Sequence, residues 1–193
     1  MDGKLTLGLY NCYDPKQWHE IMRITLARAA PVAVAFDCEL ATFGFPFEQA
    51  RARGAKQSEP LRTASDVAQF VMDGTGKGEG GERLLELADT GRFRIVPFED
   101  GFPKAMGPLV ATTPHPEATK ARTPLFLAQH VASGAPHLLL FGLGPRGLPD
   151  AVMAAAPVHL ELTGKGVSLE TATALGALPA MIAAHLEHLG SRR

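Results

Sequence analysis

The stretch Phe141-Gly142-Leu143-Gly144-Pro145-Arg146-Gly147-Leu148-Pro149 decides how the rest of the chain is interpreted. It continues an apolar run from Leu138 that is typical of a buried strand, and a short helix is predicted from Pro149. The glycines in this stretch let the backbone pass close to a ligand. In open α/β sheets, ligands bind beyond the carboxyl ends of the strands. The stretch therefore predicts a backbone-lined turn between a strand and a helix.

A second turn of the same kind follows the next predicted strand, which covers residues 158–162. Residues 160–171 read Leu-Glu-Leu-Thr-Gly-Lys-Gly-Val-Ser-Leu-Glu-Thr. Their two glycines relax the backbone, and Ser168 or Thr171 can cap the final helix. Two such turns, one β-α-β unit apart, predict a cleft between them. Two ordinary strand-to-helix turns would show the same pattern.

The remainder of the chain alternates between strand and helix patterns. An opening strand at 5–9 is followed by a helix at 15–30, capped by Asp14 and ended by Pro31, and by a strand at 32–36. Strands are also predicted at 93–96 and 109–112, and helices at 65–72, 82–89, 123–132 and 168–189. We therefore expect one α/β domain over residues 1–193, with a mainly parallel sheet and helices on both faces.

Composition narrows the class of protein. The 193 residues carry a net charge of -1, with 46% hydrophobic and 20% charged residues, as in ordinary globular domains. This balance argues against a protein that coats polyanions, although a selective RNA enzyme remains compatible. Cys12 and Cys38 do not make a disulfide framework. No signal peptide and no apolar run long enough for a membrane span is apparent, so we expect a cytoplasmic protein with no membrane partner.

Several other motifs have weaker functional interpretations. The glycine-rich segment Gly74–Gly81 is not a P-loop, because Lys77 is followed by glycine, and it is either a flexible connection or a substrate loop. His185 and His188 lack a third ligand, so no metal site is predicted. The loop 112–116, with His115 at its centre, either contacts substrate or simply connects two elements.

The two glycine turns resemble the last two motifs of the SPOUT (SpoU–TrmD) methyltransferases, which read G-x-E-x-x-G-L and S-L-N. Gly142, Gly147 and Leu148 match the first motif, and Ser168-Leu169 matches the second. The opening β-α-β unit resembles the first SpoU motif, in which an arginine on the first helix is catalytic. The whole chain is similar to an uncharacterised archaeal family of unknown function that shares the signature at 160–171.

The resemblance implies a C-terminal trefoil knot, a pocket for S-adenosylmethionine, tRNA or rRNA as substrate, and a homodimer. The apolar residues of the last helix would supply part of the dimer interface or be buried within one subunit. Arg23 and Arg28 are the candidate catalytic arginines, and Glu161 and Glu170 are candidate bases or charge partners. The residues expected to bind the cofactor are Phe141, Gly142, Leu143, Gly144, Gly147, Leu148, Leu160, Leu162, Thr163, Ser168 and Leu169.

This chain departs from the SpoU motifs at two positions. It has Gly144 where those enzymes carry glutamate, and Glu170 where they carry asparagine. An S-adenosylmethionine-dependent RNA methyltransferase is the first hypothesis, and a non-catalytic protein that binds an adenosyl ligand or RNA is the alternative. A metal-dependent nuclease using Asp37 and Glu39 is the third, although the E-x-K sequence that usually completes such a site is absent.

Overall fold

A computed structural model describes residues 5–50, 61–75 and 78–190. The strands are β1 (Leu5–Asn11), β2 (Glu39–Phe43), β3 (Phe93–Val96), β4 (Leu109–Thr112), β5 (Ala121–Arg122), β6 (His137–Leu143) and β7 (Val158–Leu160). The helices are α1 (Glu20–Ala35), α2 (Ala64–Thr75), α3 (Glu79–Asp89), α4 (Pro124–Ala132), α5 (Asp150–Ala155) and α6 (Thr171–Gly190). Short 3-10 turns occur at Phe47–Gln49, Phe98–Asp100 and Lys104–Met106.

The seven strands form one sheet in the order β3-β2-β1-β6-β4-β7-β5. Every pairing between neighbouring strands is parallel. β1 lies near the centre, where it pairs with β2 on one side and with β6 on the other. Because parallel strands need crossover connections, helices cover both faces. The predicted fold class, α/β with a mainly parallel sheet, is confirmed.

Each face of the sheet contributes to its own apolar core. On one face Leu5, Leu7 and Leu9 of β1 pack with residues of α1, α2, α3, α4 and α6. On the other face Phe43 and Leu140 pack against α5 and the 3-10 turn at Lys104–Met106. Among the described residues, one face therefore carries the five helices α1, α2, α3, α4 and α6, and the other carries the short helix α5.

The helix predicted at 15–30 is present with different bounds, whereas the strand predicted at 32–36 is wrong, because residues 32–35 belong to the helix. The helix begins at Glu20, continues through Pro31 and ends at Ala35. Asp14 does not cap it; its Oδ1 accepts a hydrogen bond from the Lys16 N–H at 2.9 Å in the preceding turn. A proline inside a helix deprives the carbonyl four residues earlier of its donor, which is here the carbonyl of Ala27.

The carbonyl oxygen of Ala27 packs closely against helix α3. A Cβ atom added to Gly80 would lie only 2.2 Å from this oxygen. Contact with α3 therefore covers the side of α1 on which Pro31 breaks the hydrogen-bond ladder. This packing also explains why Gly80 and Gly81 are helical instead of forming the predicted flexible connection. Residues 76 and 77 of that segment lie outside the described residues.

Other boundaries agree more closely with the sequence patterns. β3 and β4 occupy the predicted residues 93–96 and 109–112. Thr123 caps α4, since its Oγ1 accepts a hydrogen bond from the Phe126 N–H at 3.3 Å. β7 is shorter than predicted, α6 begins at Thr171, and the two-residue strand β5 was not predicted. No helix among residues 5–50, 61–75 and 78–190 is long and apolar enough to cross a membrane.

Candidate binding cleft

A cleft of about 680 Å³ lies at the carboxyl ends of β4, β6 and β7. These three strands are neighbours in the sheet, so the loops that follow them meet at one edge. The loop after β4 contributes 112–117, the end of β6 and its loop contribute 142 and 144–148, and the segment after β7 contributes 161–162, 167–169 and 171. Side-by-side parallel strands thus bring together loops that are far apart in the sequence.

The loop after β6 folds back tightly on its own strand. A Cβ atom on Gly142 would lie 2.7 Å from the amide nitrogen of Leu148, which leaves no space for a side chain. Gly147 has φ of +69°, a conformation that glycine adopts without strain. Both glycines line the cleft. Backbone groups instead of side chains therefore form this wall.

Gly144 lies in contact with the loop that follows β1. Its φ is +155°, and a Cβ atom there would lie 2.8 Å from the Cβ of Cys12. The Cys12 N–H donates to the carbonyl of Leu143 at 2.9 Å, which holds the two loops together. Burial raises the pKa of the Cys12 thiol to about 11, so the thiol stays protonated. The position where SpoU motifs carry an acid is thus closed by the neighbouring loop.

Glu161 organises the turn that follows β7. Its carboxylate accepts hydrogen bonds from the Thr163 N–H at 2.8 Å, from the Thr163 hydroxyl at 2.5 Å and from the Gly164 N–H. Burial on its own would raise the pKa of Glu161, but the donors in Thr163, Gly164 and Gly166 outweigh it and lower this pKa. A general base works best with a pKa near the working pH. The hydrogen bonds therefore favour a structural role for Glu161.

The C-terminal segment, to which the resemblance assigns the knot, contacts both of the other loops. The Thr171 hydroxyl donates to the carbonyl of Gly142 at 2.8 Å. At the other end of the segment, a Cβ atom on Gly166 would lie 3.5 Å from the carbonyl oxygen of Pro114. The segment is therefore held against the loop after β6 and the loop after β4 together.

Two histidines line the cleft and differ in their surroundings. His159 is buried; its Nδ1 accepts from the Glu117 N–H at 3.1 Å, and its Nε2 lies 2.9 Å from the carbonyl of Met153, to which it donates. Both ring nitrogens are thus used in holding the structure. His115 is exposed, and its ring has no hydrogen-bond partner in the described part of the chain.

A second cleft of about 360 Å³ adjoins the first. The two clefts share a wall made of Gly144, Pro145, Ser168, Leu169 and Thr171. Tyr13, Ile21, Thr25, Leu143, Glu170 and Ala172 line only the second cleft.

Glu170 forms a loose ion pair with Arg28 beside the second cleft. Nη1 of Arg28 lies 3.9 Å from Oε1 of Glu170, and the side chains are 58% and 68% exposed. A pair this long and exposed contributes little to stability. Both groups therefore remain available to a ligand.

Most of the predicted cofactor residues line the first cleft. They are Phe141, Gly142, Gly144, Gly147, Leu148, Leu160, Leu162, Ser168 and Leu169, together with the candidate base Glu161. Leu143 lines the second cleft, and the Thr163 hydroxyl accepts hydrogen bonds from Lys165 and Val167 within the turn.

Arg23 does not join the other predicted residues. Its guanidinium pairs with Glu20 on the same helix, and a Cβ atom on Gly74 of α2 would lie 2.3 Å from its Nη1. It lines neither cleft. Sequence reasoning gave no role to Tyr13 or His159, because only the packing of separate loops brings them to the clefts and no local motif marks them. It also gave no role to Arg146, which lies in the glycine turn after β6 and lines the first cleft.

The fold is that of the SPOUT methyltransferases. A probable methylase family protein from Haemophilus influenzae superposes with a TM-score of 0.60 at 13% identity, covering 100% of this chain and 70% of that chain. The SpoU methyltransferase AviRb from Streptomyces viridochromogenes, solved with AdoMet, gives 0.50 at 16% identity and covers 98% and 59%. A third structure, described as "Structural insights into the 2-OH methylation of C/U34 on tRNA", superposes with a TM-score of 0.52 at 21% identity. The match covers 100% of both chains.

The chain belongs to the family described as "Protein of unknown function (DUF531)", which matches residues 5–183. One relative of the chain is the uncharacterised protein MJ0224 of Methanocaldococcus jannaschii. It is 38% identical over 186 residues, which cover 96% of this chain and 97% of the relative. The predicted relationship to an uncharacterised archaeal family is therefore confirmed.

Proposed function

We propose that this protein is an S-adenosylmethionine-dependent RNA methyltransferase that acts on tRNA or rRNA. The observation that carries the proposal is the cleft at the carboxyl ends of β4, β6 and β7, where two glycine turns meet. Structures with the same fold include one solved with AdoMet and one concerned with methylation of tRNA, which supports this ligand and this class of substrate.

The residues of the cleft suit such a cofactor. The volume of the cleft, about 680 Å³, lies within the usual range for small-molecule sites. Leu148, Leu160 and Leu162 provide apolar surface for an adenine ring, and Gly144 and Gly147 bring backbone without side chains to the lining for its polar edge. The carboxylates of Glu117 and Asp150 also line the cleft and would favour a cationic sulfonium.

The cofactor would supply a methyl group that is activated by the sulfonium. This methyl group would bond to an acceptor oxygen or nitrogen while the carbon–sulfur bond breaks, and the electron pair of that bond would stay on sulfur. The protein then has to hold the acceptor in line and accept its proton. We assign the proton to Glu170, which lines the second cleft directly after the shared residues Ser168 and Leu169. We assign a phosphate of the acceptor to Arg28, whose Nη1 lies 3.9 Å from Oε1 of Glu170.

The alternative is a protein that binds an adenosyl ligand or RNA without catalysis. Two observations favour it: the Glu161 carboxylate is fully occupied by its own turn, and the acid of the SpoU motif is excluded at Gly144. A nuclease gains no support. Asp37 and Glu39 are paired with Arg92 at 3.1 Å and with Arg94 at 2.8 Å, and the described residues contain no cluster able to hold a metal ion.

The first experiment is calorimetric titration with S-adenosylmethionine and S-adenosylhomocysteine. We expect binding by the wild type and a loss of at least about tenfold in affinity for Gly147→Phe, which puts a bulky side chain into the cleft. Gly91→Phe is the matched control, because Gly91 has the same φ of +69° and open space around it but lies in the turn before β3. If the folded wild type binds neither ligand, the cofactor assignment is wrong.

Catalysis is tested by transfer of labelled methyl groups to total tRNA and rRNA. We expect Glu170→Ala and Arg28→Ala each to lower the rate by at least about tenfold without changing the affinity for S-adenosylhomocysteine. Full activity in both variants would show that these residues are not catalytic. Cofactor binding without methylation of any RNA would favour the non-catalytic alternative.

A homodimer is part of the same proposal. Leu178 and Ile182 of α6 are each only 1% exposed and pack within the chain, whereas Met181 on the same helix is 37% exposed. The buried side of α6 is therefore used inside one subunit, and an interface would use the side that carries Met181. Analytical ultracentrifugation of the wild type and of Met181→Asp would show whether the chain dimerises through this side.

A further inference from the structure

The second cleft adjoins the first, and a ligand bound in the first cleft would leave it open. It shares Gly144, Pro145 and the segment Ser168–Leu169 with the first cleft, but its far side is formed by α1 and by the loop after β1. The two clefts meet at these shared residues. A molecule bound in the second cleft would therefore lie beside a ligand in the first, as an acceptor must.

Tyr13 forms an aromatic surface in this cleft and is held firmly in place. Its N–H donates to Oδ1 of the buried Asn11 at 2.9 Å, and Nδ2 of Asn11 donates to the carbonyl of Gly44 at 2.9 Å. The Tyr13 ring packs against His19 with centroids 4.5 Å apart and an angle of 30° between the planes. One side of the ring is thus covered, and the ring is positioned before any ligand arrives.

The polar groups around the cleft suit a nucleotide. Arg28 offers a guanidinium that its long pair with Glu170 leaves accessible. Ser168 is exposed on the shared wall and can donate to a sugar or a base. Arg28 does not line the cleft itself and reaches it through its pair with Glu170. Aromatic rings that stack on unstacked bases and basic groups that meet the phosphates are common in single-stranded RNA recognition.

We propose that the second cleft binds one unstacked nucleoside of a single-stranded RNA segment, with its base against the Tyr13 ring and its phosphate near Arg28. The volume of about 360 Å³ lies at the small end of the range for ligand sites, so it suits one nucleoside and excludes a stacked duplex. This inference rests on the proposed function, and it specifies that the RNA is recognised as a single-stranded segment.

The test measures binding of fluorescently labelled oligo(A), oligo(U) and oligo(C) by anisotropy, with and without S-adenosylhomocysteine. Tyr13→Ala should weaken binding about 5- to 150-fold, as is typical when a stacked base loses its aromatic partner. Tyr13→Phe should retain binding, because it keeps the ring. Ala172→Phe, which fills the second cleft from the first turn of α6, should abolish it.

The control is Phe126→Ala on α4. The rings of Phe126 and His130 have centroids 4.1 Å apart and an angle of 39° between their planes. The variant therefore loses an aromatic–histidine contact similar to that of Tyr13, at a position that lines neither cleft. We expect this variant to bind RNA as the wild type does. Circular dichroism confirms that each variant is folded, and Tyr13→Phe and Ala172→Phe test the site even where Tyr13→Ala does not fold.

The outcomes separate this inference from the proposed function. Undiminished RNA binding by Tyr13→Ala and Ala172→Phe, an equal loss in Phe126→Ala, or no binding of any oligonucleotide by the wild type would overturn the nucleoside site. Loss in Tyr13→Phe equal to that in Tyr13→Ala would exclude stacking as its basis. Binding of RNA that depends on Tyr13, in a protein that does not bind S-adenosylhomocysteine, would leave the nucleoside site standing and reject the methyltransferase.

Discussion

Contact between Cys12 and Gly144 shows how one residue limits the chemistry at another. The atoms nearest to a Cβ on Gly144 belong to the side chain and the backbone of Cys12, at 2.8 Å and 3.1 Å. Moving the Cys12 thiol would leave the backbone contact in place. The chain therefore cannot place an acid at this position while the loop after β1 keeps its path.

Replacing Gly144 should test this limit. We expect Gly144→Ala to lower the free energy of unfolding by about 1–3 kcal/mol, because the new Cβ meets Cys12 in a backbone conformation that favours glycine. Gly144→Glu should be at least as destabilising and should not increase methyl transfer. Urea denaturation measures the first effect. A Gly144→Glu protein that is as stable as the wild type would contradict the geometry.

Glu161 gives a prediction about pH. The lowered pKa of its carboxyl means that its contribution to stability is present above the unfolded value of about 4.5 and is lost as the pH falls through the folded value. Glu161→Gln should therefore lower the free energy of unfolding by about 1 kcal/mol at neutral pH. The difference from the wild type should shrink below pH 4.5.

Thermal unfolding between pH 3 and pH 7 measures this difference. Glu187→Gln, an exposed carboxylate on α6, serves as the control and should follow the wild type at every pH. A constant difference between Glu161→Gln and the wild type across this range would mean that the charge of Glu161 does not hold the turn.

At the scale of elements, close packing between α1 and α3 decides a boundary that the sequence pattern misplaces. Proline inside a helix costs about 3 kcal/mol, so ending the first helix at Pro31 was the natural prediction. The helix nevertheless continues to Ala35, and α1 packs against α3 at Gly80. This contact joins residues more than 50 positions apart, and no local pattern contains it.

Glycines in two helices should respond in opposite ways to alanine. A Cβ on Gly80 would lie 2.2 Å from the Ala27 oxygen, whereas a Cβ on Gly176 of α6 meets nothing within 4 Å. Gly176→Ala should raise the free energy of unfolding by about 0.5–1 kcal/mol, the usual gain in helix propensity. Gly80→Ala should lower it by about 1–3 kcal/mol, because backbone atoms must move apart. Urea denaturation of both variants checks the pair, and equal shifts of the same sign would refute the packing argument.

The sequence predicted the parts of the site that depend on local patterns. The glycine turns at 142–147 and 164–166 line or border the first cleft, as expected from the strands before them. Tyr13 and His159 were missed because their roles depend on loops brought together by the strand order. Arg23 was selected for its helix and residue type, but the face of the helix that it occupies follows from where α1 begins.

At the scale of the whole molecule, binding of a ligand should stabilise the fold. A ligand present at about one hundred times its dissociation constant adds about 2.7 kcal/mol to the free energy of unfolding. For a chain of 193 residues, this corresponds to an increase in melting temperature of about 5–10 °C. We expect this increase with S-adenosylhomocysteine, and a much smaller one for Gly147→Phe at the same concentration. Differential scanning fluorimetry measures both, and an equal increase in the two proteins would place the ligand outside the cleft.

The pairing of β1 with β6 has a consequence for how the protein is made. Leu5 lies opposite His137 and Asn11 lies opposite Leu143, so the centre of the sheet joins two segments that are far apart in the sequence. Pairings between distant segments are slow to form, and a chain emerging from the ribosome offers them late. Until residue 143 has left the exit tunnel, β1 has β2 on one side and an unpaired edge on the other. The nascent protein therefore exposes one edge of an apolar strand until β6 has been made, and this interval is when it depends most on chaperones.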